Sequence, residues 1–314
     1  MKCPRGMISS SAHRILRRIR CSVALSLLTA CMCSGCSKGD DAMPANRSQK
    51  KPQNRSDQFV PIEPALTFQV ESPEDDPTVK NAGQPDPAGE QVRASSQKAL
   101  NAAGFQFANN LPTAGHRAAV EGKLRPLREI ASRLMALDAL FTWVTSPESV
   151  STERLQAYIK RNALLDHLTG EEQEILSLSR ADANSKHSNT IGWRLENMWA
   201  LAWILGFDPA PDVSGQLSQE ISRAVVLDFL PGLDATVDDL LNKAQPRSEA
   251  EVVSLEDLFY CAHNAVRSAQ TGSTSSVPED FHPIIDGGAV HERRHALSWA
   301  LSPGVNWDDA DLTT

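Results

Sequence analysis

The sequence has almost no cysteine where a fold could use it. Five of its six cysteines (Cys3, Cys21, Cys31, Cys33 and Cys36) lie in the first 36 residues, and only Cys261 lies beyond. An internal disulfide in the later chain is therefore excluded. Cys261, in an apolar helical stretch, reads as a small buried hydrophobe rather than a nucleophile. A basic excess is also missing. The formal net charge is −8, so no basic face is expected to meet phosphates, and nucleic-acid binding is not expected. Long apolar runs are missing too. The best candidate, residues 21–30, is about half the roughly 20 residues a membrane-spanning helix needs. Alternating apolar and polar positions, the mark of half-buried strands, are nearly absent.

What is present begins with an address. Lys2, Arg5, Arg14, Arg17, Arg18 and Arg20 make the first twenty residues basic, with no acid among them. The short apolar stretch CSVALSLLTA (21–30) follows. Leu28-Thr29-Ala30-Cys31 then resembles the lipobox of bacterial lipoproteins, in which the cysteine is acylated and becomes the new N-terminus. Cys36, in Cys33-Ser34-Gly35-Cys36, is the alternative attachment site, and an ordinary cleaved signal peptide is the other reading. Cys33 and Cys36 also spell C-x-x-C. They sit between a signal and a linker, not at a strand-to-helix junction, so redox chemistry is not expected. Residues 1–30 are thus expected to be a signal peptide. Residues 31–91, rich in Ser, Asp, Pro, Asn, Gln and Lys, are expected to be a disordered tether, with FVPIEPALTFQV (59–70) as a more apolar patch.

From residue 92 the pattern is helical. Residues 94–103 predict a short helix that stops at Gly104. Pro126 suits a first helical position, and LREIASRLMALDALFTWV follows with apolar spacings of three and four. A helix is predicted over 152–168, and a capping box at Thr169 opens another through Arg180. A second box at Ser248 opens a long helix to Gln270, and a last helix starts at Asp286 or Gly287. The fold class is all-α: one domain of about eight helices over 92–314. At its centre lies WRLENMWALAWILG (193–206), apolar in every direction and so predicted to be buried. Two charges sit in that helix, Arg194 and Glu196, pointing about 200° apart. An unpaired buried charge is costly, so each needs a partner from elsewhere.

The last helix carries His291-Glu292-Arg293-Arg294-His295, which reads H-E-x-x-H, a pattern that holds zinc in metallopeptidases. A zinc site needs a third ligand. The nineteen residues after His295 contain no Glu, His or Cys. Ser298 and Leu301 stand where the extended pattern has glycine and its third histidine. Two arginines beside a dication are unfavourable. Helical geometry places Glu292, Arg293 and Arg294 on or beside the apolar stripe, and His291 and His295 on the more solvated arc. Ion pairs are therefore expected between Arg194 and Glu292, and between Glu196 and Arg293 or Arg294. No metal and no cofactor are expected. The acids of WDDADLT, Asp308 and Asp309 among them, lack the spacing of known calcium loops. They read as solvated or as partners of Arg293 or Arg294.

Five segments together resemble a known family: LREIASRLMAL (127–137), WRLENMWALAWILG (193–206), RSEAEVVSLEDLFYCAHNAVRSA (247–269), ERRHALSW (292–299) and WDDADLT (307–313). Their order and spacing resemble the bacterial family called domain of unknown function 4272, and RASSQKALNAAGFQFANNLP (93–112) fits its opening. The resemblance implies that E-R-R-x-A-L-x-W is a structural unit, with H-E-x-x-H laid over it by coincidence. One departure is Asn264, where the family more often shows tryptophan, which predicts looser packing there. The resemblance implies no activity. The leading expectation is a membrane-held lipoprotein of the cell envelope whose helical domain binds an unknown protein partner without catalysis. The alternative is an enzyme of unrecognised type, built on the polar cluster Arg194, Glu196, Glu292, Arg293, Arg294, Asp308 and Asp309, with His263.

Overall fold

A computed structural model describes residues 79–80, 84–117 and 123–314. The expected signal peptide, Cys31, Cys36 and the patch at 59–70 lie outside the described residues. Among those described, ten α-helices and no sheet are present: α1 (Pro87–Ala102), α2 (Leu127–Thr145), α3 (Thr152–Arg161), α4 (Gly170–Ser177), α5 (Arg180–His187), α6 (Trp193–Ile204), α7 (Gln219–Arg223), α8 (Val237–Leu241), α9 (Glu249–Gln270) and α10 (Ile285–Ala300).

The all-α class agrees with the sequence reading, but several boundaries differ for local reasons. α1 starts inside the stretch read as tether. Asp86 accepts from the Gly89 amide at 3.0 Å and Pro87 occupies the first turn, so Pro-Asp-Pro is a helix start rather than linker. Asp86 also takes the Thr113 hydroxyl at 2.6 Å, and Val79 pairs with Arg117 in an isolated bridge. The helix expected over 152–168 stops at Arg161 and resumes as a 3-10 turn, Leu164–His167. Between them Ala163 has φ of 50°, where an α-helix cannot continue. The helix expected from Thr169 through Arg180 is two helices, because Ser179 caps a new one by accepting from the Asp182 amide. Both capping boxes, at Thr169 and Ser248, are formed.

The core has two buried helices rather than one. In α6, everything from Leu195 to Ile204 is buried; in α2, everything from Ile130 to Thr145 is. α6 packs on α10 and α2, and α10 packs in turn on α9, which carries α1 on another side. Each Leu, Ile, Met or Phe withdrawn from water here contributes about 1.5–3 kcal/mol. Glycines let α10 approach both neighbours closely. A Cβ on Gly287 would lie 2.6 Å from a Val266 methyl on α9, and one on Gly288 would lie 2.8 Å from the Trp193 ring on α6. α6 ends where Gly206 takes φ of +106° and its Cα faces the Gln245 main chain, so closely that a Cβ would sit 2.5 Å from that carbonyl.

Candidate functional site

The charged residues singled out by sequence do not form one cluster. α10 distributes them over three buried groups. In the first, Arg293 donates to Glu196 through Nε and Nη2, each at 2.8 Å, and the two side chains are 0% and 6% exposed. Arg293 also donates to the main-chain oxygens of Asp212 at 2.6 Å and Gly215 at 2.9 Å, and Glu196 accepts from the Leu217 amide at 2.9 Å. The guanidinium lies over the Trp199 ring, 4.7 Å from its centroid. This pair therefore ties α6, α10 and the loop before α7 together. Burial pushes the Glu196 carboxyl up, and Arg293 opposes that only in part.

The second group contains the expected Arg194–Glu292 pair. Arg194 reaches Glu292 only at 4.0 Å and sits closer to Glu172, at 3.2 Å. Glu172 is also gripped by Arg133 of α2 at 2.5 and 3.0 Å. Burial would raise the Glu172 carboxyl, but the Arg133 and Arg194 guanidiniums hold it below the usual range. Glu292 also accepts from Asn197 Nδ2 at 2.9 Å. Sequence reasoning met Glu172 only as a capping-box residue. It fills that role too, accepting from the Thr169 amide at 3.1 Å.

The third group was missed altogether. Glu256 and Asp257 on α9 are both 0% exposed. Arg117 clamps Glu256 at 2.7 and 2.5 Å, and Ser298 of α10 donates to it at 3.0 Å. Arg93 clamps Asp257 at 3.1 and 2.8 Å, helped by the Ser96 hydroxyl at 2.8 Å. The Tyr260 ring lies 4.1 Å from the Arg117 guanidinium and 4.8 Å from that of Arg294. Arg294 does not pair with Glu196. It comes within 4.0 Å of Glu256 and donates to the main-chain oxygens of Leu312 at 2.7 Å and Thr313 at 3.0 Å. The available signal was Glu256-Asp257 within LEDLFY, two adjacent acids flanked by apolar residues on both sides.

Asp308 and Asp309 do not join Arg293 or Arg294. Both are exposed, and Asp309 accepts from Asn306 Nδ2 at 2.8 Å. The histidines also depart from expectation. His291 and His295 are half-buried, because His263 of α9 and the 305–313 segment cover that arc. His291 Nδ1 lies 3.5 Å from His263 Nε2, and His295 Nε2 donates to the Trp307 carbonyl at 2.8 Å. Among the described residues no group of three or more His, Cys, Asp or Glu side chains is placed to hold a metal ion. Cys261 is buried, and burial pushes its thiol up, away from thiolate chemistry. Asn264 offsets its missing ring with a hydrogen bond: its Oδ1 accepts from the Ala108 amide at 3.0 Å.

One apolar groove opens on the surface between α1 and α9. Its volume is about 480 Å³, and Val92, Ala99, Trp203, Leu255 and Leu258 line it with few polar atoms. No helix among the described residues is long and apolar enough to cross a membrane.

No curated protein and no solved structure matches the chain. The family model described as "Domain of unknown function (DUF4272)" matches residues 92–310, a span that takes in α2 to α10 and all three charge groups. The chain belongs to the DUF4272 family.

Proposed function

We propose that the protein is a lipoprotein of the bacterial cell envelope, acylated at Cys31 (alternatively Cys36), whose helical domain binds a protein partner without catalysing a reaction. One observation carries the non-catalytic part. Glu172, Glu196, Glu256 and Asp257, four buried carboxylates of the candidate site, are each held by at least one arginine. Groups so held are strut-like, and pairing of this kind perturbs charges without any active site. The anchoring part rests on the basic start, the short apolar stretch and the Leu-Thr-Ala-Cys sequence. Acyl chains at Cys31 would place the domain on a membrane surface. The stretch expected to be a tether would, as a flexible coil, let it reach roughly 40 Å.

Two measurements test the reading. Feeding cells a clickable fatty acid should label the protein, and Cys31→Ser should abolish the label; loss only in Cys36→Ser would move the anchor. Cross-linking the full protein in native membranes should then capture one partner in near-constant ratio. Leu258→Arg, which puts a charge in the groove, should lower that capture at least tenfold. If no partner is enriched, or if a purified substrate is turned over, the binding-module reading fails.

A further inference from the structure

The hydrogen positions around His263 are set by an arginine. A guanidinium can only donate. Arg294 Nη1 lies 2.6 Å from His263 Nδ1, so Nδ1 must carry a lone pair and the ring proton sits on Nε2. That Nε2 faces His291 Nδ1 at 3.5 Å, so His291 accepts there and keeps its own proton on Nε2. Along the series, Arg294 Nη1 donates to His263 Nδ1 and His263 Nε2 faces the lone pair of His291 Nδ1, with both rings neutral.

Such a series takes up no further proton intact. A proton on His263 Nδ1 sets two donors face to face, at Arg294. A proton on His291 Nδ1 sets two donors face to face at His263, and reversing the His263 tautomer only returns the conflict to Arg294. Either way the weak point is the Arg294 contact.

That same guanidinium holds the main chain of the closing segment, through the carbonyls of Leu312 at 2.7 Å and Thr313 at 3.0 Å. The other tie of the segment behaves differently. His295 donates from Nε2 to the Trp307 carbonyl at 2.8 Å, and an imidazolium still donates from that nitrogen. Trp307 also stacks near His295 and Trp299, with ring centroids 4.4 and 5.2 Å apart. Acid therefore acts on the 311–313 end and spares the Trp307 end.

The charges around the pair favour this direction. α9 presents Glu256, Tyr260 and Arg267; α10 presents Glu292, Arg294 and His295; Arg133 comes from α2, Arg117 from the chain before it, and Asp311 from the closing segment itself. Glu256 is already neutralised by Arg117. Burial, with Arg294 beside it, pushes His263 down to about 3. Burial also lowers His291, with Glu292 opposing.

We propose that residues 311–313 are an acid-released latch, in which protonation of the His263–His291 pair breaks the hold of Arg294 on the Leu312 and Thr313 carbonyls and uncovers that arginine. The sign follows from the depressed values. The closed form binds fewer protons than the open form, whose rings titrate near the ordinary value of about 6.5. Opening therefore grows about tenfold per pH unit below about 6.5 for each ring released.

Amide hydrogen exchange of the full-length protein, corrected for the intrinsic pH dependence of exchange, reads this directly. The Thr313 amide, held by the Asp311 carboxylate at 2.9 Å, should lose at least tenfold protection per unit between about pH 6.5 and 4.5. The 296–302 amides, which close α10, should not. His263→Gln keeps an acceptor for Arg294 and removes that ring's titration, leaving only His291, so its Thr313 protection should fall at least tenfold less per pH unit than in the unaltered protein. Flat protection in the unaltered protein, or an equal loss in His263→Gln, would overturn the latch. Should that variant fail to fold, imidazole NMR on the unaltered protein decides. Protonation of His263 and His291 coincident with the loss of Thr313 protection supports the latch, and loss without their protonation refutes it.

Discussion

Arg293 on α10 and Glu196 on α6 meet at 2.8 Å with both side chains almost wholly out of water. Ninety-seven residues separate them in sequence, and their bond fixes how the last helix crosses the central one. Removing one partner leaves the other charge buried and alone. Arg293→Met should therefore lose about 3–5 kcal/mol of stability, measured by urea unfolding. The loss should come with faster amide exchange over 212–217, because Arg293 also holds the oxygens of Asp212 and Gly215. Unchanged exchange there would show that the arginine does not clip the loop.

Gly206 and Gly272 separate two causes of strain. Both have positive φ, +106° and +114°, but only Gly206 faces a clash, with the Gln245 carbonyl at 2.5 Å; nothing lies near Gly272. Gly272→Ala should cost about 1 kcal/mol from conformation alone. Gly206→Ala should cost clearly more, toward about 3 kcal/mol, since the main chain at Gln245 must also move. Equal melting temperatures in the two variants would contradict the close approach.

Acid should weaken the fold in two stages. His263, His291 and His295 are each lowered by burial. The folded state therefore binds fewer protons than the unfolded chain, and stability falls as pH drops below about 6.5. Glu172 and Glu256 are also lowered, as burial is overcome by Arg133 and by Arg117. Their contribution is full above the unfolded carboxylate value of about 4.3 and is lost as pH falls through the folded one. Glu196, raised by burial, works the other way and softens that second stage. The urea midpoint should decline below about pH 6.5 and suffer a further loss below about pH 4.3; a midpoint constant between about pH 6.5 and 4.5 would contradict the first stage.

The H-E-x-x-H pattern makes a separate prediction. His295 spends Nε2 on the Trp307 carbonyl, and His291 faces His263. Chelator treatment should leave the melting temperature unchanged, and calorimetric titration with zinc should give the same isotherm for the protein and for His295→Gln. A saturable zinc site lost in His295→Gln would contradict the assignment.

Much of this was legible in the sequence, for physical reasons. Capping boxes at Thr169 and Ser248 are local hydrogen-bond patterns, so the helices they open could be read directly. The all-round apolar pattern of 193–206 forces burial, and buried Glu196 forces a partner. What escaped depends on long-range packing. Glu256 and Asp257 are met by Arg117 and Arg93, which lie 139 and 164 residues away, and nothing local marks those arginines. The histidines looked solvated because α10 alone leaves their arc open; His263 and the segment around Trp307 close it. The Pro-Asp-Pro start of α1 was hidden by a composition that, taken without its capping geometry, looks like linker.

The central claim is that Glu172, Glu196, Glu256 and Asp257 belong to ion pairs that hold helices together. A double-mutant cycle on Arg117 and Glu256 tests it most directly, with Arg117→Met, Glu256→Gln and the pair compared by urea unfolding. A coupling of about 2–3 kcal/mol is predicted, at the upper end for residues in one network, because each single change strands its partner and the double change does not. A coupling near zero, with Glu256→Gln as stable as the unaltered protein, would contradict it and return Glu256 to the list of groups free for chemistry.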